Sequence, residues 1–421
     1  MNQIENVLIT GLFDKNYNDF TIGTILDEVI SLVETAGGTY SGKIIQKGRY
    51  PDRSYLMGKG KVEEIETYID ANDIDMIVSM NPLSSIQQRN LEKKLDIKVI
   101  DRTRLILDIF ALHARTLEGK LQVELAQLLY MLPRLIGKGI ELSRLGGGIG
   151  TRGPGETKLE SDRRVIKKKI SIIKKKLEKV RGNRALQRKH RQQSPVPLVS
   201  IVGYTSAGKS TLFNLLTNEA VFVTKKLFST LDPLVRRVDL REKGKGYYCL
   251  MSDTVGFIRD MPEELLTSFY ATLEEINESD IILLLSDISD PDNEKQISEV
   301  LKVLRSMNVD ADKIITVYNK IDNLDNGNEM SDKKDRSDDD AVYISAKMEI
   351  GITKLKKIIF NKFFRYYDRF RFSLNKSDTR VNSISKWAIV LNRSYKGEVI
   401  NFDVLCDREK MVKFSNENKE I

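Results

Sequence analysis

From Val7 to Ile100 the chain alternates two hydrophobic periods. Val7 to Gly11, Thr39 to Gln46, the apolar Ile74 to Met80 and Ile97 to Ile100 read as strands. Between them, Ile25, Val29 and Leu32 mark one helix, and Lys61 to Ala71 and Leu83 to Leu95 two more. Strands alternating with helices predict a small, mostly parallel sheet, the first α/β unit of the chain, over residues 1–104. Gly58-Lys59-Gly60-Lys61 lacks the spacing of a phosphate loop and reads as a tight turn capping the next helix.

Beyond Ile100 the helical period lengthens. Leu107, Phe110, Ala114, Leu117 and Leu121 repeat at helical spacing, and Leu125, Leu128 and Leu132 extend the stripe. Ile166, Ile170, Ile173, Leu177 and Val180 recur at spacings of 4, 3, 4 and 3, the seam of a helical hairpin or coiled coil. The two stripes predict partner helices in an arm over residues 105–194. Charge changes how that arm is read. Between Lys158 and Arg191 fifteen Lys/Arg stand against Glu160, Asp162 and Glu178, a net of +12 in a chain whose total is +8. Charge runs usually form a merely solvated face, but an imbalance this one-sided does not suit alternating surface salt bridges. It favours a phosphate-backbone partner for residues such as Lys167 and Lys168.

The two helices are joined by Leu145-Gly-Gly-Gly-Ile-Gly-Thr-Arg-Gly-Pro-Gly-Glu156, with six glycines in the ten residues from Gly146. Such a stretch cannot build a core, because backbone entropy is lost without side-chain burial. Composition alone leans to a flexible linker. Arg144, Arg152, Arg163 and Arg164 bracket the loop and argue instead for bare backbone at Gly146, Gly147, Gly148 and Gly153 approaching RNA.

Five motifs then follow in order over 145 residues. The apolar run Leu198 to Val202 leads into Gly203-Tyr204-Thr205-Ser206-Ala207-Gly208-Lys209-Ser210-Thr211. Thr230 stands in Ser-Thr-Leu-Asp-Pro, and Asp253-Thr254-Val255-Gly256, Asn319-Lys320-Ile321-Asp322 and Ser345-Ala346-Lys347 come after it. One glycine pattern occurs by chance; a strand, a helix pattern and four ordered partners around it imply a GTP-binding domain over residues 195–370. The glycines let backbone N–H groups approach phosphates, and a helix opening at Lys209 adds the positive end of its dipole. Lys209 suits the β- and γ-phosphates, Ser210 a Mg²⁺ ion, and Asp253 the same ion through water. Thr230 is the expected switch residue, ligating metal and phosphate, and the Gly256 N–H is placed to sense the γ-phosphate. Lys209, Thr230 and Gly256 are thus the catalytic candidates. Asp322 offers a carboxylate to guanine N1–H and N2–H₂, Lys320 a stem to lay along the ring, and Ala346 an N–H for the guanine oxygen. Phe257 stands where Ras-like GTPases carry the water-orienting glutamine, and its ring forms no such hydrogen bond.

The remaining segments add less. Val381, Ile384, Ala388 and Leu391 suggest a helix carrying Trp387, and Val399 to Cys406 a strand, giving a small α/β domain over residues 371–421. Asn323 to Asp340, rich in Asp, Asn and Ser, reads as a mobile surface insert. No apolar run approaches the roughly 18 residues needed to span a bilayer, and the start lacks a signal core. Cys249 and Cys406 are expected as buried free thiols, and His113 and His190 have no ligand-like companions. A cytoplasmic monomer is expected.

The glycine loop with Glu160, Asp162, Arg163 and Arg164 resembles the signature of HflX-type GTPases. Tyr55-Leu-Met-Gly58-Lys-Gly-Lys61-Val-Glu-Glu, Phe228-Ser-Thr-Leu-Asp-Pro233 and Asp253-Thr-Val-Gly-Phe-Ile-Arg259 support it, and it runs from about residue 5 to 370. The resemblance implies a GTPase whose N-terminal domain and arm bind the large ribosomal subunit and its rRNA near the peptidyl transferase centre. It implies splitting of stalled or idle 70S ribosomes, notably under stress, with GTP as substrate and Mg²⁺ as cofactor. An assembly GTPase of the large subunit, or an RNA-binding scaffold with a structural nucleotide site, are the alternatives. Two positions depart from the family. It usually has asparagine at Ser206, a residue that accompanies potassium binding in some related GTPases, and threonine at Leu234.

Overall fold

The computed structural model of the protein describes residues 5–135, 158–192, 196–217, 234–240, 247–254, 256–259, 276–324, 341–364 and 367–416. Within 158–192, side chains are described for 160–180. Arg144, Gly146, Gly147, Gly148, Arg152, Gly153, Thr230, Val255 and residues 325–340 of the expected insert lie outside the described residues. Two compact units are present; among the described residues one runs to Lys179 and the other from Val180 onward.

In the first unit β1 (Asn6–Phe13), β2 (Thr39–Lys47), β3 (Met76–Ser79) and β4 (Lys98–Asp101) form a wholly parallel sheet, ordered β2-β1-β3-β4. Helices α1 (Asp19–Ala36), α2 (Lys59–Asn72), α3 (Ser85–Leu95) and α4 (Arg102–His113) cover it. Leu8, Leu12, Ile77 and Val99 pack with Val62 and Ile65 of α2 and Leu91 and Leu95 of α3. Val29, Leu32, Ile106 and Phe110 of α1 and α4 are buried as well, as a parallel sheet sheathed in helices requires. Gly58 caps α2 with its N–H donated to Gln46 Oε1 at 3.0 Å, so the Gly-Lys-Gly-Lys turn is a helix start.

The long stripe from Leu107 to Leu132 does not form one helix. α4 ends at His113, Ala114 is extended, and α5 (Leu117–Arg134) begins anew with the Thr116 hydroxyl accepting from the Gly119 N–H at 3.0 Å. A side-chain cap of this kind supplies the partner that first-turn amides lack. Leu107 and Phe110 therefore belong to the α/β core, and Leu117 is 69 % exposed. The hairpin proper joins Leu121, Leu125, Leu128, Leu129 and Leu132 to Ile166, Ile170, Ile173 and Leu177 of α6 (Lys158–Gln192). With that seam turned inward, Arg164, Lys167, Lys168 and Lys169 are exposed and Arg163 is partly buried. The root of the arm is fixed by Asp101, which is fully buried. It accepts from the Leu83 and Arg104 amides, the Tyr130 hydroxyl and the Arg134 guanidinium at 2.9–3.1 Å.

The second unit is built on a six-stranded sheet ordered β10-β9-β8-β5-β7-β6. Its strands are β5 (Leu198–Gly203), β6 (Leu234–Asp239), β7 (Tyr248–Asp253), β8 (Ile281–Asp287), β9 (Ile314–Asn319) and β10 (Ala341–Tyr343), all parallel except β6. β5 is buried at every residue. Helix α7 (Lys209–Thr217) contributes Leu212, Phe213 and Leu216 to the core, and α9 (Ile352–Phe364) contributes Leu355 and Ile359. α8 (Asn293–Ser306) follows β8 and buries Val300 and Leu304.

A three-stranded antiparallel sheet, ordered β11 (Tyr367–Asn375), β13 (Val399–Asp407), β12 (Ile389–Lys396), and a helix at Arg408–Asn416 end the described chain. The helix expected through Leu391 does not form. Of the stretch Val381 to Leu391 only α10 (Ile384–Trp387) is α-helical, preceded by a 3₁₀ turn at Thr379–Asn382, and Leu391 lies in β12. A turn followed by a strand satisfies the same apolar spacing, and pairing with β13 decides between them. β11 runs across the boundary expected at residue 370, and Ile389 and Leu405 join the core of the six-stranded sheet. Cys249 and Cys406 are buried free thiols.

Candidate functional site

The site forms at the carboxyl edge of the six-stranded sheet, where parallel α/β sheets open a crevice for ligands. Gly203 ends β5, the loop Tyr204 to Gly208 turns, and Lys209, Ser210 and Thr211 open α7. Amides at the start of that helix have no intrahelical partner and suit an anionic ligand. Gly208 has φ +93°, and a Cβ on it would lie 2.3 Å from Asn319 Nδ2. Ser206 also adopts a left-handed backbone, φ +64°, a conformation asparagine takes more readily than serine.

Lys209 is only 7 % exposed, and its ammonium donates to the Tyr204 carbonyl at 2.6 Å. Burial pushes it down to about 8, against an upward pull from the Asp253 carboxylate. An anionic phosphate beside it would restore the full charge. The Ser210 hydroxyl donates to Asp253 Oδ2 at 3.0 Å, so the end of β7 and the start of α7 bring a hydroxyl and a carboxylate together. Two hard oxygen donors next to a phosphate loop fit Mg²⁺, which keeps several waters and takes few protein ligands. Thr254 is buried and donates to the Ile201 carbonyl at 2.7 Å, fixing the Asp-x-x-Gly turn to β5.

Gly256 and Phe257 touch the phosphate loop directly. A Cβ on Gly256 would lie 2.9 Å from both Lys209 Nζ and Thr205 Cγ2. The Phe257 N–H donates to the Gly203 carbonyl at 3.0 Å, and its carbonyl accepts from the Thr205 N–H at 2.7 Å. Its ring is 4 % exposed and belongs to the packing of the turn. Two further contacts anchor this region at α8 and its N-cap, through Glu299 and Asp292, which lie in no motif. The Tyr204 hydroxyl donates to Glu299, and Arg259 pairs with Asp292 at 2.7 Å. Lys295 first, then Arg259, hold the Asp292 carboxyl below its usual range.

Asn319 ends β9 and is 2 % exposed. Its Nδ2 donates to the Ala207 carbonyl at 2.8 Å and its Oδ1 accepts from the Ala346 N–H at 2.9 Å. The Ala346 amide expected at a guanine oxygen is thus engaged with Asn319. Lys320 leaves the strand at φ +64° and pairs with Asp287 at 2.6 Å, while Asp322 sits exposed in a 3₁₀ turn at Ile321–Asn323. Ser345 is buried, pairs through its backbone with Ile350, and accepts from the Met348 N–H at 3.0 Å; Lys347 is exposed. The described parts of four of the five motifs therefore share one edge, and the fifth holds Thr230.

A phosphate loop after a buried central strand, with Asp-x-x-Gly and Asn-Lys-x-Asp turns on the same edge, defines a P-loop GTPase. Residues 198–320 match the family described as "50S ribosome-binding GTPase", residues 24–111 "GTP-binding GTPase N-terminal", and residues 113–191 "GTP-binding GTPase Middle Region". GTPase HflX of Caldanaerobacter subterraneus is 42 % identical, over 92 % of this chain and 90 % of its own. GTPase HflX of Lacrimispora saccharolytica is 49 % identical over 79 % and 78 %, and that of Escherichia coli 42 % over 81 % and 78 %. The chain belongs to the HflX family of GTPases: it binds GTP and hydrolyses it. The crystal structure of SsGBP with GDP shares the fold, with a TM-score of 0.51 and 24 % identity over 85 % of this chain and 98 % of that one. Among the described residues no helix is long and apolar enough to cross a membrane.

Proposed function

We propose that this GTPase binds the large ribosomal subunit through its basic arm and splits stalled or idle 70S ribosomes in the cytoplasm, hydrolysis resetting the binding state. The observation that carries the reading is the sidedness of α6. Its apolar seam is buried against α5, leaving Lys167, Lys168 and Lys169 exposed on a helix of net positive charge. Such a surface matches the phosphate backbone of rRNA. The match to a family described as ribosome-binding supports the same partner. Arg144, Arg152, Arg163, Arg164 and the glycines between α5 and α6 in sequence are assigned to rRNA contact on the sequence alone.

In the nucleotide site, Lys209 and the amides of the phosphate loop hold the β- and γ-phosphates, and Asp322 reads guanine. Ser210 and Asp253, with Thr230, would hold Mg²⁺, which supplies charge neutralisation on the transferring phosphoryl group when bound. Gly256 reports the γ-phosphate through its N–H. The Phe257 ring offers no hydrogen bond to a water, so a group from the ribosome completes the catalytic geometry and turnover by the isolated protein is slow.

Sedimentation of intact ribosomes with the protein and a non-hydrolysable GTP analogue tests the reading. Free subunits are the expected outcome. Retention on large-subunit precursors alone would instead indicate an assembly GTPase, and nucleotide-independent binding to RNA a scaffold.

A further inference from the structure

We propose that Asp287 is a positioning residue for guanine recognition: it pins the ammonium of Lys320 so that the lysine stem is held ready for the purine face. The proposal rests on Asn319-Lys320-Ile321-Asp322 being the base site. Asp287 is the last residue of β8 and stands opposite Asn319 in the parallel register with β9. Its Oδ2 accepts from Lys320 Nζ at 2.6 Å. Its Oδ1 accepts from the Ser289 N–H at 3.0 Å and the Ser289 hydroxyl at 2.6 Å. With both oxygens engaged, the carboxylate has one orientation rather than a fan of them. A backbone bond from the Ile288 N–H to the Asn319 carbonyl, 3.0 Å, ties this turn to the one that carries Lys320.

The consequence follows from lysine chemistry. A lysine whose ammonium has no fixed partner sends it to water, and its four-carbon stem samples many rotamers that binding must then freeze. Lys320 leaves its strand in a left-handed conformation, φ +64°. Anchoring the far end at Asp287 leaves the methylenes as a pre-ordered apolar strip, the surface a purine ring packs on. The pair is partly shielded, with side chains 31 % and 17 % exposed, so salt screens it less than a surface pair.

The test is a double-mutant cycle read by titration and stopped-flow release of a fluorescent GDP analogue. Asp287→Asn is expected to weaken GDP about tenfold, mainly through faster dissociation. In a Lys320→Met background the same substitution should have no further effect, because the group through which Asp287 acts is gone. An unchanged affinity in Asp287→Asn, or its full loss added on top of that of Lys320→Met, overturns the proposal. Asp287→Glu keeps the charge but displaces it, and enters the same cycle if the amide variant folds poorly. Asp322→Asn, assayed alongside with xanthosine diphosphate, separates the two claims. Failure of that switch removes the base site itself, whereas a normal switch with additive Asp287 and Lys320 effects removes only the role of Asp287.

Discussion

Asn319 donates its Nδ2 to the carbonyl of Ala207 at 2.8 Å, joining two motifs 112 residues apart in sequence. With its Oδ1 on the Ala346 amide, one buried side chain holds the phosphate loop and the Ser-Ala-Lys loop in fixed relation. Asn319→Ala should therefore lower thermal stability and GDP affinity together. Each polar group left buried without its partner costs about 1–3 kcal/mol. Differential scanning calorimetry with and without GDP measures both, and an unchanged melting temperature would count against the linkage.

Lys209 predicts a pH dependence. Burial lowers its value to about 8 in the folded chain, from 10.5 when exposed. Between those values the unfolded chain holds a proton that the nucleotide-free folded chain does not, so stability of the empty protein rises with pH there. Bound phosphates favour the charged form. GDP binding should then take up a proton above about pH 8, and affinity should fall as pH rises further. Calorimetry at pH 9 in two buffers of different ionisation enthalpy counts the protons. Equal uptake by the protein and by Lys209→Met would exclude Lys209 as the source.

Phe257 separates packing from chemistry. Phe257→Ala empties a ring-sized space in a buried site and should destabilise the fold by about 3–5 kcal/mol if neighbours do not collapse into it. Basal GTP turnover per folded molecule should stay within a few fold, since the ring forms no hydrogen bond to a water and the backbone bonds to Gly203 and Thr205 need no side chain. Single-turnover hydrolysis at a temperature where the variant is folded decides this. A collapse of basal turnover would mean that the ring itself shapes the catalytic geometry.

The arm predicts a salt effect. If exposed lysines of α6 neutralise rRNA phosphates, the logarithm of ribosome affinity should fall linearly with the logarithm of salt concentration. Replacing Lys167, Lys168 and Lys169 by glutamine should flatten the slope by about 2–3 and leave GTP affinity intact. A slope identical to that of the unmodified protein would make this face merely solvated.

Chemistry that must be local is legible in contiguous residues. A phosphate loop needs small residues and a lysine at fixed spacing at a helix start, and Gly203 to Ser210 carries them on contiguous chain. The strands of the first unit and the seam of α6 were legible for the same reason, since the hydrophobic period reports the buried face of one element. Tertiary structure decided what depends on which elements become neighbours. Leu107 and Leu121 share one helical period, yet a capped break at Thr116 sends the first to the sheet and the second to the arm. Leu391 fits a helical spacing but pairs in a strand. Asp287 and Lys320 lie 33 residues apart, and nothing local in either segment marks them as a pair. Their contact exists because β8 and β9 are adjacent and end at the same level, a matter of sheet order and register that burial over the whole domain selects.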